Sequence, residues 1–363
     1  MNKTIKKAAV AMSGGVDSSV AAALMLEKGY DVIGLTIKTW EYENTAENET
    51  GCCSLDSIYR AKNVAHQLGI PHYTFDMTKV FNDSVINNFV SEYMKGRTPN
   101  PCVLCNKKIK WGTLLEKAEG LGADMLVTGH YAKINFDEFT KRFFISVPQD
   151  KNKDQSYFLW AVSQYALSKT LFPLGDYIKP QIRELAEKYN LKSAHTPDSQ
   201  EICFVPDNDY SKLIEMRLPE IKEKLAGGNI IYNDKVVGHH KGYPYYTIGQ
   251  RKGFNLSVGK AVYVSKIDPE KNEIIMGNAD SLKTADFKVQ DINLMNPEAI
   301  EGEMDVLIKI RYKDEGTRGV IYQIDDNTIL AKLETPKRAV TPGQSAVFYK
   351  NGNLIGGGII SSM

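Results

Sequence analysis

The sequence predicts an α/β protein: a doubly wound parallel sheet, then a small central domain, then a C-terminal antiparallel β-barrel. Three observations carry this expectation. Short apolar runs alternate with amphipathic helical stretches through residues 8–128, the pattern of parallel strands crossed over by helices. A glycine pair, Gly14-Gly15, stands between the first run and the first helix. From residue 286 onward apolar residues alternate at period two, as in 306–310, 320–324 and 345–349, which reads as a closed set of short antiparallel strands.

Taken in order, the run 8–12 is a buried strand and 20–26 a helix, joined by Ser13-Gly14-Gly15-Val16-Asp17-Ser18-Ser19. Strand, glycine turn and helix start together make a phosphate cradle. Glycines let the backbone approach an anion, and the helix N-terminus supplies N–H groups and the positive end of its dipole. Ser13 and Ser18 can donate hydroxyls, and Asp17 can cap the helix or hold Mg²⁺. The string G-x-x-x-x-G-K-[ST] is missing, so this loop lacks the lysine of kinase-like and GTPase-like sites. Further strands are expected at 31–38, 71–75 and 123–128, with helices at 57–68, 80–93 and 109–121. Ligands of such sheets lie beyond the carboxyl ends of the strands. Gly14-Gly15, Ile37 and Gly129-His130 fall at those ends and are expected to meet one nucleotide. A hairpin is expected at 134–147 and a helix with Pro in its first turn at 180–189. The expected domains are 1–208, 209–281 and 282–363.

At 363 residues, 42% apolar and 25% charged, the chain falls outside the collagen-like and disordered classes. Its net charge of +1 means that a nucleic acid must be held by local basic patches rather than by a global field. No apolar stretch has the length of a membrane span, and the run after Lys3, Lys6 and Lys7 is too short for a signal peptide. Five cysteines without scaffold spacing point to a reducing cytoplasm, so the cysteines call first for a chemical reading.

Two patches carry that chemistry. In residues 96–111, Pro99 and Pro101 stiffen a loop holding Cys102 and Cys105, and Cys105 is expected where the next helix starts. A helix N-terminus and the nearby Lys107, Lys108 and Lys110 favour a thiolate there. The second patch, 198–205, holds Cys203. Two separated thiols beside a nucleotide site suit sulfur transfer, one carrying a persulfide while the other attacks. A second basic and aromatic cluster, His239, His240, Lys241, Tyr243, Tyr245, Tyr246, Arg251 and Lys252, suits either RNA stacking or a strand edge with tyrosines packed inward.

Ser13-Gly14-Gly15-Val16-Asp17-Ser18 resembles the PP-loop of ATP pyrophosphatases. Together with Gly34 to Lys38 and Thr39-Trp40, Thr98 to Pro101, Cys105-Asn106-Lys107 and Thr128 to Tyr131, it resembles the tRNA-specific 2-thiouridylase family. The likeness continues in Lys153 to Leu159, Ile202-Cys203-Phe204, 246–253 and Arg311-Tyr312, so it spans essentially the full chain. The resemblance implies ATP-dependent thiolation of the wobble uridine of tRNA at C2, with release of AMP and pyrophosphate. It also implies Cys105 as nucleophile and Cys203 as persulfide carrier, the two joining in a disulfide during turnover. ATP would lie on Ala11, Met12, Ser13, Gly14, Gly15, Val16, Asp17, Ser18, Ile37 and Gly129. Asn100, Pro101 and Cys102 would face the target base, and His130, Lys153, Asp154, Gln155, Arg311, Tyr312 and Gln344 would meet the tRNA. The implied partners are tRNA and a sulfur-donor protein, either a persulfide carrier or a cysteine desulfurase. A monomer is expected.

This chain departs from the family at Cys102, where an aspartate is expected that would serve as general acid or base. The loop has Cys102-x-x-Cys105 instead, and with Cys203 that makes three thiolates, enough for a [4Fe–4S] cluster with one iron open. Such a cluster, on this or another RNA substrate, is the alternative to a persulfide relay. A zinc site would need a fourth ligand such as Cys52 or Cys53, for which ordinary thiols are the favoured reading. Amidating synthetases with the same loop need no paired thiols, and a non-catalytic RNA-binding protein would not need an intact loop.

Overall fold

A computed structural model describes residues 5–39, 55–197, 202–205, 209–254, 256 and 258–361. The N-terminal part builds a five-stranded, all-parallel sheet. Its elements are β1 (Lys7–Ala11), α1 (Val16–Glu27), β2 (Asp31–Lys38), α2 (Leu55–Gln67) and β3 (His72–Asp76), then α3 (Thr78–Phe81) and α4 (Asn87–Met94). After these come α5 (Pro101–Cys105), α6 (Leu115–Gly120), β4 (Met125–Thr128), β5 (Lys133–Asp137) and β6 (Arg142–Ser146). Then follow α7 (Gln164–Ser168), β7 (Thr170–Leu171) and α8 (Lys179–Lys188). The sheet order β3-β2-β1-β4-β7 places β1 centrally, with Val10 opposite Gly34 and Val127.

Period-two side-chain alternation on β1 makes the sheet doubly wound. Ala8 and Val10 face a core with α1, α2 and α8, while Ala9, Ile33, Leu35 and Leu126 face a second core with the helices of residues 78–120. In α1, Ala21-Ala22-Ala23 is buried throughout; alanine is the best helix former and lets backbones pack closely. The second core continues into Leu213, Ile214 and Ile221 and into Met295, Val347, Tyr349 and Leu354, so all three parts of the chain share it.

The helix after the prolines differs from expectation. It begins at Pro101, runs through a π-helical stretch at Asn106–Leu114 and ends in α6. Pro101 at the first helical position has the right φ and lacks an N–H that would be orphaned there anyway, so the proline pair starts a helix rather than prolonging a loop. Cys102 therefore lies in the first turn, and Cys105 one turn further in. The helix at 78–94 likewise contains a π stretch, Asn82–Ile86.

The central part holds α9 (Tyr210–Arg217), α10 (Ile221–Leu225), β8 (Gly228–Tyr232), β9 (Lys235–His240), β10 (Tyr263–Asp268) and β11 (Glu273–Gly277). They form a sheet of order β10-β11-β8-β9. Here the inward packing of the tyrosines prevails: His240, Tyr243 and Tyr246 are 3%, 4% and 6% exposed. Tyr243 Oη donates to Met94 O at 2.7 Å, anchoring this part to the end of α4, and His240 is fixed between Asn272 O and the Gly242 N–H. Only the cations of that cluster, with His239, remain outside: Lys241, Arg251 and Lys252 are exposed.

The C-terminal strands are β12 (Lys283–Leu294), β13 (Glu303–Lys309), β14 (Thr317–Asp325), β15 (Thr328–Arg338), β16 (Ser345–Lys350) and β17 (Asn353–Ile360). They run β12-β15-β14-β13-β16-β17, and β12 pairs back onto β17 (Val289 opposite Ile360), closing the barrel around Phe287, Ile308, Ile321, Ile329 and Phe348. The β5–β6 hairpin belongs by sequence to the N-terminal part, yet it joins the barrel sheet where Ser146 meets Asn353. Arg142 holds this junction, donating from Nε to Met295 O (2.7 Å) and from Nη2 to Leu294 O (3.0 Å).

Arg142→Ala is expected to destabilise the protein by about 2–3 kcal/mol, because two half-buried carbonyls lose a charged donor. Urea unfolding measures this, and a change under 0.5 kcal/mol, the usual size for a surface substitution, contradicts the assignment.

Candidate active site

Three backbones meet at the start of α1. Gly14 has φ +75°, and a Cβ there would stand 2.3 Å from Ser57 O. Gly129, just after β4, would place a Cβ 2.8 Å from Ser18 N and 2.9 Å from the Asp17 carbonyl carbon. Neither position has room for a side chain. Ser18 Oγ accepts from Ser13 N (3.1 Å) and donates to Gly15 O (3.1 Å), which folds the loop onto the helix start. Met12 N donates to Leu35 O (2.7 Å), and Thr36 Oγ1 donates to Met12 O (2.8 Å), tying the ends of β1 and β2 together. Ile37, near the end of β2, is half-buried. The ends of β1 and β4 thus meet at the start of α1, and the end of β2 is tied to β1 through Thr36.

Asp17 does not cap the helix; Gly15 occupies that position. The Asp17 carboxylate instead accepts from Lys179 Nζ (2.8 and 2.9 Å) and from Tyr131 Oη (2.8 Å). Lys179 is the first residue of α8; its side chain is only 11% exposed, and its N–H donates to Asp150 Oδ2 (2.8 Å). Sequence reasoning missed this lysine. The loop's lacking cation arrives from 162 residues away, and the one local signal was a Lys-Pro pair opening a helix.

On the thiol side, Cys102 is exposed, while Cys105 and Cys203 are half-buried. Ile37, Cys105, Cys203, Phe158 and Tyr312 all pack against the same core. Phe204 sets the position of Cys203 by standing edge-on to Phe81 (5.5 Å) and Phe89 (5.3 Å). His130 sits between Thr128 Oγ1 (2.7 Å from Nδ1) and Lys110 Nζ (3.4 Å from Nε2). Burial, with the Lys110 charge adding to it, pulls this imidazole well below its ordinary value, so it is neutral at pH 7 and accepts from Lys110. Among the described residues no three His, Cys, Asp or Glu side chains are grouped to hold a metal, so the cluster on Cys102, Cys105 and Cys203 has no assembled ligand set. Cys52 and Cys53 lie outside the described residues.

The other expected contacts gather along the seam with the barrel. Gln155 exchanges bonds with Tyr131, Oε1 accepting from its N–H (2.9 Å) and N donating to its O (3.0 Å). Asp154 is 10% exposed and bound by Ser156 N (3.0 Å), Ser156 Oγ (2.6 Å) and Lys309 Nζ (3.4 Å), which makes it a tie to the barrel rather than a displayed charge. Lys153 is half-exposed and close enough to Tyr312 to be felt by its phenol. Tyr312 lies over Phe158 (4.5 Å between centroids), and Arg311 is exposed. Their turn is shaped by Asp314, which accepts from Ile310 N and Gly316 N (3.0 Å each) and from Lys337. Gln344 Nε2 reaches Thr98 O and Pro99 O.

Three family models match the chain. One described as the tRNA methyl transferase HUP domain covers residues 6–207, the tRNA methyl transferase PRC-barrel domain covers 218–278, and the aminomethyltransferase beta-barrel domain covers 284–360. The chain is 47% identical over 356 residues to a tRNA-specific 2-thiouridylase MnmA of Salinibacter ruber, covering 97% of this chain and 93% of that one. It is 47% identical over 358 residues to that of Cytophaga hutchinsonii, covering 97% and 96%. Among solved structures, the U34-tRNA thiolase NcsA of Methanococcus maripaludis matches at 21% identity over 60% of this chain and 69% of that one. With a TM-score of 0.34 it bears on nothing at the site. No described helix is long and apolar enough to cross a membrane.

Burial alone would raise the Asp314 carboxyl, but the Lys337 ammonium and the two backbone N–H groups outweigh it and hold it below its ordinary 3.8. A depressed folded-state value means the stabilisation is complete above the unfolded-state value of about 4 and is lost as pH falls through the folded one. Thermal unfolding between pH 7 and 3 is therefore expected to show a steeper acid loss of Tm for wild type than for Asp314→Asn. Parallel curves contradict this.

Proposed function

Because this chain belongs to the tRNA-specific 2-thiouridylase family and is a tRNA sulfurtransferase, we propose that it replaces the C2 oxygen of the wobble uridine of tRNA by sulfur at the expense of ATP. The observation that supports this best is that Ile37, Cys105 and Cys203 all pack against one core, as a shared site would require. Methyl transfer, named in the description of a matching family model, would leave the two thiols and the glycine loop without a role.

In this reading ATP lies on residues 11–18 with Ile37 and Gly129 against it, and the amides at the start of α1 face its phosphates. Mg²⁺ bound with ATP would offset charge on the departing pyrophosphate; Asp17 is the carboxylate at the loop, and it would take the ion only by giving up its bonds from Lys179 Nζ. Lys179 reaches the same place through Asp17 and takes over the cation's part that the loop lacks. The uracil O2 attacks the α-phosphate, pyrophosphate leaves, and C2 carries an adenylate. The target base must leave its stack for this, and Asn100, Pro101 and Cys102 border the place it enters.

Sulfur then moves in two steps. The terminal sulfur of a Cys203 persulfide, loaded by a persulfide carrier or a cysteine desulfurase, attacks C2 and AMP departs. The Cys105 thiolate attacks Sγ of Cys203, the S–S bond to the base breaks, and its electron pair stays on the base as the 2-thio group. Two thiol sulfurs are oxidised to a Cys105–Cys203 disulfide as the transferred sulfur is reduced, and an external thiol resets the pair. No step here runs through an iron–sulfur cluster. Lys153, His130, Arg311 and Tyr312 are proposed to meet the tRNA, Arg311 through phosphate and Tyr312 through its ring face.

Cys105→Ser and Cys203→Ser are each expected to lower 2-thiouridine formation at least 100-fold, roughly the loss of a nucleophile, with tRNA affinity changed less than twofold. Nucleoside mass spectrometry and filter binding measure the two quantities. Full turnover by either variant removes that thiol from the mechanism.

A further inference from the structure

The stretch Thr98-Pro99-Asn100, which leads directly into Cys102 and Cys105, is gripped by one loop of the barrel. Thr98 N donates to Pro342 O at 2.9 Å. Gln344 Nε2 donates to Thr98 O at 3.0 Å and to Pro99 O at 3.1 Å. Between them Gly343 has φ +92°, and a Cβ there would stand 2.8 Å from Thr98 O, so the two backbones touch. The next residue continues the grip. Ser345 O accepts from Tyr157 Oη (3.0 Å), and Ser345 Oγ accepts from Trp160 Nε1 (3.0 Å). Barrel residues 342–344 thus hold the backbone of the thiol loop directly, and Ser345 ties the same barrel loop to Tyr157 and Trp160.

We propose that Gln344 is a positioning residue for thiolation: through its amide the barrel sets where the loop carrying Cys102 and Cys105 stands relative to the base. A side-chain amide has two N–H groups, and both are directed at loop carbonyls here, which leaves none to donate to an RNA phosphate. The loop spends only two residues between Thr98 and the first turn of α5, so a displacement at Thr98 passes along a proline-stiffened backbone to Cys102. Displacements of about 1 Å at reacting groups cost up to roughly 100-fold in rate. The inference rests on the thiolation reading above, and its test separates the two.

The test is Gln344→Glu, which keeps the shape but faces the two carbonyls with an acceptor. Without tRNA, alkylation by iodoacetamide is followed site by site by peptide mass spectrometry; the rates at Cys102 and Cys105 are expected to change at least threefold, with Cys203 as the internal reference. With saturating tRNA, single-turnover thiolation is expected to fall about 10- to 100-fold, while the Kd for tRNA stays within twofold. Tyr157→Phe, which removes the bond to Ser345 O beside Gln344 without touching any group within reach of RNA, is expected to move the same readouts in the same direction and stands in if the first variant does not fold. Unchanged alkylation with a tenfold weaker Kd and a normal saturating rate overturns the proposal and makes Gln344 an RNA contact; no change in any readout overturns it as well. A wild-type enzyme that thiolates no tRNA refutes the functional reading alone, since the alkylation comparison still decides the positioning role.

Discussion

The site depends on how closely three backbones approach at the start of α1. Gly14 against Ser57 and Gly129 against Ser18 leave no space for a Cβ, and this contact brings the ends of β1 and β4 to the same helix N-terminus. A phosphate held there meets amides from a preformed turn, so little reorganisation is needed on binding. The same contact fixes Asp17 where both Tyr131 and Lys179 reach it. A cation supplied from α8 rather than from the loop couples the loop to a helix that is distant in sequence and packed beside α1.

From Asp17 a run of polar contacts leads outward to the barrel: Tyr131 to Gln155, and Asp154 to Lys309. Beside it lies an aromatic seam of Tyr157, Phe158 and Tyr312. Each partly buried polar group along this path has a partner, which gives the junction a single arrangement rather than a greasy slip plane. The barrel is therefore joined to the sheet domain by specific polar ties as well as by apolar packing. With a net charge of only +1, the positive field has to come from local features such as Lys107, Lys108, Arg311 and Lys313, all exposed.

Much of this was legible in the sequence because local chemistry decides it. The apolar runs in 8–12 and 31–38, the glycine pair before α1 and the period-two strands of the barrel each depend on near neighbours. What escaped notice depends on distant ones. Lys179 resembles any first-turn lysine until the fold brings Asp17 to it. The 133–146 hairpin carries no mark of its barrel partner. Asp154 reads as a displayed charge but is consumed by Ser156 and Lys309, and for the tyrosines near 243–246 the fold decides between the stacking surface and the inward packing that the sequence left open, in favour of the latter. Pro99 and Pro101 suggested a longer loop, whereas Pro101 opens the helix, so the first turn belongs to Cys102 and Cys105 sits deeper.

The central claim is that one cleft joins adenylation to sulfur carried by Cys105 and Cys203. The direct measurement is a single turnover with persulfide-loaded protein, ATP and tRNA without added reductant, quenched by acid and analysed by non-reducing peptide mapping. The account predicts a Cys105–Cys203 disulfide formed in equal amount to 2-thiouridine and to AMP. Thiolated tRNA made while both cysteines remain thiols, or a disulfide that joins Cys102 to Cys203 instead, contradicts it.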